Sequence, residues 1–430
     1  MNQEKFNKTY ASLNEKQKQA VDTIYGPLMV IAGPGTGKTQ LLSTRVGHIL
    51  RETDFRPFNI LCLTYTTSGV AAMKQRLVEL IGPEGNDVEV YTFHSFAEKV
   101  IQRYSRYNDL EIFQFIDDID KKILVRELLE EVEFNTPLKK GVSSVDSSIS
   151  LILSIISQIK KEKYDADILI KAIVDELRAK KDSEEFIYKK KTGDFVKGDF
   201  NQGKWDKFEN KLTKNIQALQ IYKKYNEVVT SRKLMDFDDM LLKALELLDR
   251  IEDLRLDIQE QYQVILVDEF QDTSGAQLDL IHQLCRDVDD PNVMVVGDED
   301  QSIYRFQGAN LFNIHDFHKR YLAHLPAEEQ YDRMVVLDKN YRSTPIILDV
   351  SRVLIEKNTE RITNIIEGKT IIKKLEAAHP SLKESSEPIE LIEVENKEDE
   401  MLPIVLKIED LVKKGVDFKD IAVLFPNKIK

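Results

Sequence analysis

The 430-residue chain has only two cysteines, Cys62 and Cys285, too few for a disulfide framework. Each lies in or near an apolar stretch, so both read as buried free thiols of a reducing compartment. No apolar run approaches the roughly 20 residues needed to span a bilayer. The opening residues, MNQEKFNKTYASLNEKQKQ, are too polar for a secretory leader. A cytoplasmic, membrane-free chain is the expectation. No cluster of Cys and His has metal-ligand spacing, so no zinc site is expected. A basic surplus is missing too: 61 Lys and Arg stand against 74 Asp and Glu, a net charge of −13. That argues against a sequence-indifferent coat on nucleic acid, while leaving room for a local groove. Internal repeats and long low-complexity segments are absent.

The length suggests two to four domains. With 42% hydrophobic and 31% charged residues, the composition is that of an ordinary soluble protein. Six short apolar runs each end at a polar loop: PLMVIAG (27–33), NILCLTY (59–65), VEVYTF (88–93), QVILVDEF (263–270), NVMVVGD (292–298) and RMVVLD (333–338). Most precede helical patterns, such as KTQLLSTRVGHILR and SGAQLDLIHQLCR. Strands alternating with helices predict an α/β fold, a parallel sheet with helices on both faces. The alternation breaks between about 105 and 231, where the pattern is helical around a basic loop, KKKTGDFVKGDFNQGK (189–204). An all-helical insertion within the α/β domain is the simplest account. After it come a helix (345–357), a charged segment (373–387), a strand IELIEVE, a further helix and a strand DIAVLF.

AGPGTGKTQ (32–40) sits between a strand and a helix. Gly33, Gly35 and Gly37, with Pro34 and Thr36 between them, permit a tight path that turns successive N–H groups inward. Together with the helix N-terminus those groups form a nest for phosphates. Lys38 is placed for the β- and γ-phosphates of ATP and Thr39 for Mg²⁺. The strict pattern has glycine where Ala32 stands. VILVDEFQDTS (264–274) delivers Asp268 and Glu269 to the end of another strand. Asp268 is a candidate Mg²⁺ ligand and Glu269 a candidate general base. A chance glycine turn and two chance neighbouring carboxylates are the bland readings. Both features at strand ends in one chain make those the weaker ones.

GDEDQSIYRFQGAN (297–310) follows a third buried run. The Gln301 amide can both donate and accept near a γ-phosphate. Tyr304 and Phe306 alternate with Arg305, so in an extended segment both rings share one side, where they could stack on bases. One loop touching both ligands is the expectation; rings anchoring the loop in the core are the plain alternative.

Taken together, these motifs resemble the UvrD/Rep/PcrA type of superfamily 1 DNA helicases, in order, from about residue 10 to the end. LNEKQKQAV (13–21) resembles the Q motif and AGPGTGKT motif I. LTYTTSGVAAM (63–73) resembles motif Ia, TFHSF (92–96) motif Ib and DFDDML (236–241) the re-entry after the insertion. VDEFQDTS, GDEDQSIYRFQGA and LDKNYRSTPIIL (337–348) resemble motifs II, III and IV. The resemblance implies a RecA-like subdomain 1A (1–104 and 232–332), a helical insertion 1B (105–231) and a partial second RecA-like subdomain 2A (333–430). It implies a monomer driven by ATP and Mg²⁺ that moves 3′ to 5′ on single-stranded DNA and opens duplex junctions; it does not choose between repair, recombination and replication restart.

By position, Gln17 reads adenine, Gln40 follows the phosphate loop, Tyr341 stacks on adenine and Arg342 is an arginine finger. Gln301 senses the γ-phosphate, while Tyr65, Thr66, His94, Tyr304 and Phe306 face DNA. The family often has Arg where Gln40 stands. Its motif Ia cation is missing from Thr64–Ser68, and Phe306 and Gln307 replace Trp and Arg. Nothing resembles motifs V and VI, so an N-terminal fragment, weakly active or inactive alone, is expected. Taken singly, His94 reads more readily as a core or capping residue, Tyr65 as core, and Tyr341–Arg342 as a loop pair. The rival readings are another P-loop ATPase or kinase, and a nucleotide-binding module without turnover.

Overall fold

Buried parallel strands must be apolar on both faces, and the six apolar runs are built that way. The computed structural model describes residues 3–104, 113–131, 137–138, 145–190, 195–302, 312–358 and 373–424. The strands are β1 (Leu28–Ala32), β2 (Ile60–Thr64), β3 (Glu89–Thr92), β4 (Gln114–Phe115), β5 (Leu234–Met235), β6 (Val264–Val267), β7 (Val293–Gly297), β8 (Met334–Leu337), β9 (Lys339–Asn340) and β10 (Glu376–Ala377). Six of them form one sheet in the order β3-β2-β6-β7-β1-β8, every pair parallel. These are the six runs read from the sequence.

Successive side chains feed opposite cores. Met29, Ile31, Leu61, Leu63, Ile265 and Val267 join helices Phe93–Tyr104, Phe237–Arg250 and Gly275–Leu284 on one face. Leu28, Val30, Ile60, Cys62, Val264 and Leu266 join helices Lys38–Glu52 and Thr67–Ile81 on the other. Cys62 and Cys285 are buried thiols, each pushed up to about 12 by burial. Because all strands run parallel, the loops after β1, β2, β6, β7 and β8 share one edge, where ligands of such sheets bind.

The helical insertion has its own core, in which Leu124, Ile152, Ile156, Ile221 and Tyr225 meet. It comprises helices Asp118–Glu130, Val145–Glu162, Ala166–Lys180 and Gln202–Ser231. The chain enters and leaves it side by side, through the parallel pair β4–β5. A buried charge cluster fastens it to the sheet domain. Lys160 Nζ, fully buried, lies 2.8 Å from Asp236 Oδ2 and 2.7 Å from Asp239 Oδ1, and Tyr225 Oη donates to Asp236 Oδ2 at 3.0 Å. Asp236 also caps helix Phe237–Arg250 by accepting the Asp239 N–H. Burial works against the Asp236 charge, but the Lys160 ammonium outweighs it and holds the carboxyl below its usual range. Burial lifts Asp239 instead; Lys160 offsets this only in part, and the charge of Asp236 adds to the rise.

β8 pairs with β1 at the edge of the six-stranded sheet, although a boundary at 332/333 assigns it to the second unit. Beyond it, β9 and β10 form a separate two-stranded pair, followed by helix Met401–Lys413. The strands expected in IELIEVE and DIAVLF do not form over 389–394 and 421–424. A strand needs a neighbouring backbone, and Leu391 and Leu424 are instead 84% and 92% exposed. Among the described residues, no helix is long and apolar enough to cross a membrane.

Asp236→Ala leaves the buried Lys160 ammonium with Asp239 alone, and removing one partner from such a buried group costs about 3–5 kcal/mol. Urea denaturation at pH 7 should show a loss of that order. Because the folded-state Asp236 carboxyl lies below its unfolded value, its contribution is present above the ordinary carboxylate range and fades as pH falls through the folded value. The gap between variant and parent should therefore shrink in acid.

Candidate active site

Gly35 and Gly37 adopt φ of +68° and +84°, the left-handed region that side chains disfavour. At Gly35 a Cβ would also lie 2.6 Å from Arg342 Cβ and 2.8 Å from Asn340 Nδ2, so glycine is required by the close approach of a second segment. Thr36 Oγ1 closes the loop by donating to Gly33 O at 2.8 Å. Gly37 is the N-cap of helix Lys38–Glu52, and no side chain caps that end. Its first N–H groups thus point into the loop without a side-chain acceptor. Thr39 and Gln40 follow in the first turn, half-buried; the Gln40 carbonyl accepts Thr44 Oγ1 at 2.7 Å.

Lys38 and Glu269 come together across the sheet edge: Nζ donates to Oε2 at 2.6 Å. Glu269 itself sits at φ +50°, a turn that swings its side chain back toward the loop from the end of β6. Asp268, before it, is half-buried. Burial, then the Glu269 charge, pushes its carboxyl up to about 6 despite Lys38. Asp272 is lifted to about 6 by the same causes. Gln271 Nε2 donates to Glu269 Oε2 at 2.9 Å, and Gln271 Oε1 accepts the Asp298 N–H at 2.9 Å.

At the other end of the loop, Gln17 is buried. Its Nε2 donates to Thr36 O at 2.9 Å and its Oε1 accepts the Asn14 N–H at 3.0 Å, closing a capping box. Arg45, 1% exposed, sets this helix on the phosphate-loop helix by donating to Ala20 O and Ile24 O. Burial draws Arg45 down to about 9, so it stays charged at neutral pH, and the carbonyl end of a helix is where a cation is favoured. Tyr341 is held by its N–H to Gly35 O at 2.8 Å, and its hydroxyl accepts Asn14 Nδ2 at 3.1 Å. Asn340, fully buried, donates to Pro34 O and accepts the N–H groups of Arg342 and Ser343 at 2.8 and 2.7 Å. One asparagine therefore fixes the turn carrying Tyr341 and Arg342 against the phosphate loop.

Gln301 does not point away into a free cleft. Its Nε2 donates to Asp298 Oδ2 at 2.7 Å. Lys373 reaches the same group from the second unit: its ammonium bonds Asp298 Oδ1, lies 2.9 Å from Asp300 Oδ2 and 3.7 Å from Glu299 Oε2. Burial opposes the Lys373 charge, but Glu299, Asp298 and Asp300 outweigh it and lift the group above its usual range. Leu375, two residues on, packs over Gly33, where a Cβ would come within 2.7 Å of it.

A second hollow, of about 260 Å³, opens beside the ends of β2 and β3. Tyr65 and His94 line it together with Phe237, whose ring stacks on His94 at 3.9 Å. Phe237 is 55% exposed. Burial pulls His94 down to about 4, Asp238 offsetting it only in part, so the ring is neutral at pH 7. Thr66 caps helix Thr67–Ile81 by accepting the Gly69 N–H at 3.0 Å. Tyr304 and Phe306 lie outside the described residues.

Residues 13–322 match the UvrD/REP helicase N-terminal domain, and 335–429 the UvrD-like helicase C-terminal domain. The chain belongs to the UvrD/REP helicase family. The ATP-dependent DNA helicase PcrA of Staphylococcus aureus is 28% identical over 415 residues, 96% of this chain and 47% of that protein. PcrA of Staphylococcus epidermidis is 28% identical over 417 residues, 96% of this chain and 48% of its own. The chain spans about half the length of the curated relatives it matches.

Within this UvrD/REP helicase fold, the sequence reading did not single out Asn14, Gln271, Asn340, Lys373 or Phe237. Asn14 had a signal, since Asn three residues before Gln at a helix start is a capping box. The others act through partners distant in sequence, which no periodic pattern reveals.

The raised carboxyl of Asp268 has a measurable cost. Its folded form keeps a proton up to about pH 6, against about 4 when unfolded. Ionising it therefore lowers stability above that window, and the cost is relieved as pH falls. Without nucleotide, Asp268→Asn should stabilise the protein by about 1–3 kcal/mol at pH 8. The gain should vanish near pH 4, as followed by urea melts across pH.

Proposed function

We propose that this chain carries the ATP-binding wall and a single-stranded DNA contact of an ATP-dependent DNA helicase that moves 3′ to 5′ and opens duplexes. The observation that carries the reading is Lys38 paired with Glu269 at the mouth of the phosphate loop, with the Arg342 backbone laid across Gly35 from the far side. The Lys38 ammonium neutralises the candidate base. A triphosphate in the loop would draw Lys38 to its own oxygens and leave Glu269 free to take a proton from water. Arg342 would meet charge on the transferring phosphoryl group, and Gln301 would report the γ-phosphate. Gln17 and Tyr341, joined through Asn14, border the end where adenine would lie.

The donor set suits Mg²⁺. Asp268 is a half-buried carboxyl whose charge Lys38 and the Glu269 N–H offset only in part, and Thr39 offers a hydroxyl in the first helical turn. When bound, Mg²⁺ supplies charge neutralisation across the β- and γ-phosphates. Residues 1–430 themselves are expected to bind nucleotide, hydrolyse it slowly and leave duplexes closed. The segment 339–343 brings one arginine, Arg342, to the loop, and an arginine finger is worth about 10³- to 10⁵-fold in related nucleotidases. A monomer working in the cytoplasm accords with this reading.

Glu269→Gln should keep nucleotide affinity and lose about 10²- to 10⁴-fold in hydrolysis. Lys38→Ala should instead weaken binding of ATP. Equilibrium binding of a fluorescent ATP analogue and single-turnover hydrolysis separate the two; unimpaired turnover in Glu269→Gln would falsify the base assignment.

Tyr65, His94 and Phe237 form an aromatic platform suited to unpaired bases. Stacking is worth about 1–3 kcal/mol per base and is indifferent to sequence. Phe237→Ala should weaken binding of an oligothymidylate by that amount, by fluorescence anisotropy. The neutral ring of His94 makes its share of the affinity flat between about pH 5.5 and 8. Unchanged affinity in Phe237→Ala, or a His94-dependent rise across that range, would remove the platform from the DNA path.

A further inference from the structure

Gln271 is 2% exposed and lies between the ends of β6 and β7. Its amide donates at one end to Glu269 Oε2 and accepts at the other from the Asp298 N–H, both at 2.9 Å. Turned over, it would set oxygen against a carboxylate and NH₂ against an N–H, so only the observed orientation is attractive. Asp272 Oδ2, 3.4 Å from Nε2, favours the same sense. Room for the amide exists because residue 297 is glycine: a Cβ there would stand 2.7 Å from Gln271 Oε1. The Gln271 carbonyl is tied to the same loop by Ser302 Oγ at 3.4 Å.

The connection runs on in both directions. On one side Glu269 holds Lys38 at 2.6 Å. On the other, the enclosed carboxylate of Asp298 accepts Gln301 on Oδ2 and Lys373 on Oδ1. An unbroken line of hydrogen bonds and one peptide group thus joins the phosphate-loop lysine to the glutamine after β7 and to a cation of the second unit.

We infer that Gln271 is a positioning residue that makes the aim of Glu269 depend on the placement of Gln301. This rests on the reading of Glu269 as general base. Once Lys38 turns to phosphate, the Gln271 amide is the side-chain donor that stays with Glu269. It fixes the direction in which the carboxylate points. Its other end holds the main chain of Asp298, whose carboxylate gives up Gln301 when that amide turns to a γ-phosphate. Sensing the phosphate and aiming the base are then one event.

The test uses the 430-residue chain in excess over ATP, so that slow single turnovers are read, with nucleotide affinity and melting temperature measured alongside. Gln271→Met fills the space without either hydrogen bond. It should bind ATP within about threefold of the parent and hydrolyse it about 10- to 100-fold more slowly. In Gln271→Glu, a protonated carboxyl again offers O–H to Glu269 and C=O to Asp298. Its rate relative to the parent should therefore climb as pH falls. Adding Gln301→Ala to Gln271→Met should cost little beyond the worse single change, since both cut one line. A packing role alone would lower the melting temperature and leave rate per folded molecule and pH profile unchanged. That result, or fully multiplicative losses in the double variant, overturns the inference. If Glu269→Gln turns over as fast as the parent, the base reading itself has failed. If Glu269→Gln is dead while Gln271→Met is unimpaired, only the coupling has.

Discussion

Six carboxylates crowd the ends of two adjacent strands, and two lysines keep them there. Asp268, Glu269 and Asp272 follow β6; Asp298, Glu299 and Asp300 follow β7. Left alone, such a band would repel itself and resist burial. Lys38 enters from the phosphate loop and Lys373 from the second unit, each seated against one trio. The two trios meet through the neutral amide of Gln271. A polyphosphate entering the loop competes for one of these lysines, so binding substrate and redistributing charge along the sheet edge are inseparable.

The same device fastens the helical insertion. Lys160 is buried against Asp236 and Asp239, as Lys373 is against Asp298 and Asp300. In both places an ammonium from one unit completes an acidic turn of another. Apolar packing alone would attach the units without fixing their register, whereas a buried ion pair tolerates one arrangement. The aromatic hollow between Tyr65, His94 and Phe237 is bordered by Lys160 itself, so the insertion's clamp also shapes the proposed DNA contact.

Much of this was legible in the sequence. Six apolar runs became the six strands of the sheet, because a strand covered on both faces has no polar face to confuse its pattern. The glycines at 35 and 37 marked a loop whose backbone needs them, and Lys38 met Glu269 as two motifs 231 residues apart. What failed to show was contact between polar residues of unrelated segments. Asn340 was not singled out, yet it is fully buried and holds both the phosphate loop and the Tyr341–Arg342 turn. Gln301 was expected to face a γ-phosphate, and nothing in its motif announced that its amide also donates to Asp298. The alternation in IELIEVE promised a strand, but alternation specifies only a face, and pairing needs a neighbour.

The strand order carries a consequence for how the chain is made. Of the six sheet strands, the two central ones, β6 and β7, are followed in the chain only by β8, and until they arrive β1 and β2 have nothing between them. Between Thr92 and Val264 the ribosome adds about 170 residues, which takes on the order of 10–30 s. For that interval the β2–β3 pair and the lone strand β1 wait with open edges while the inserted helices fold on a core of their own. The nascent chain is thus most exposed to mispairing and to chaperones before Asp268 and Glu269 have been translated at all.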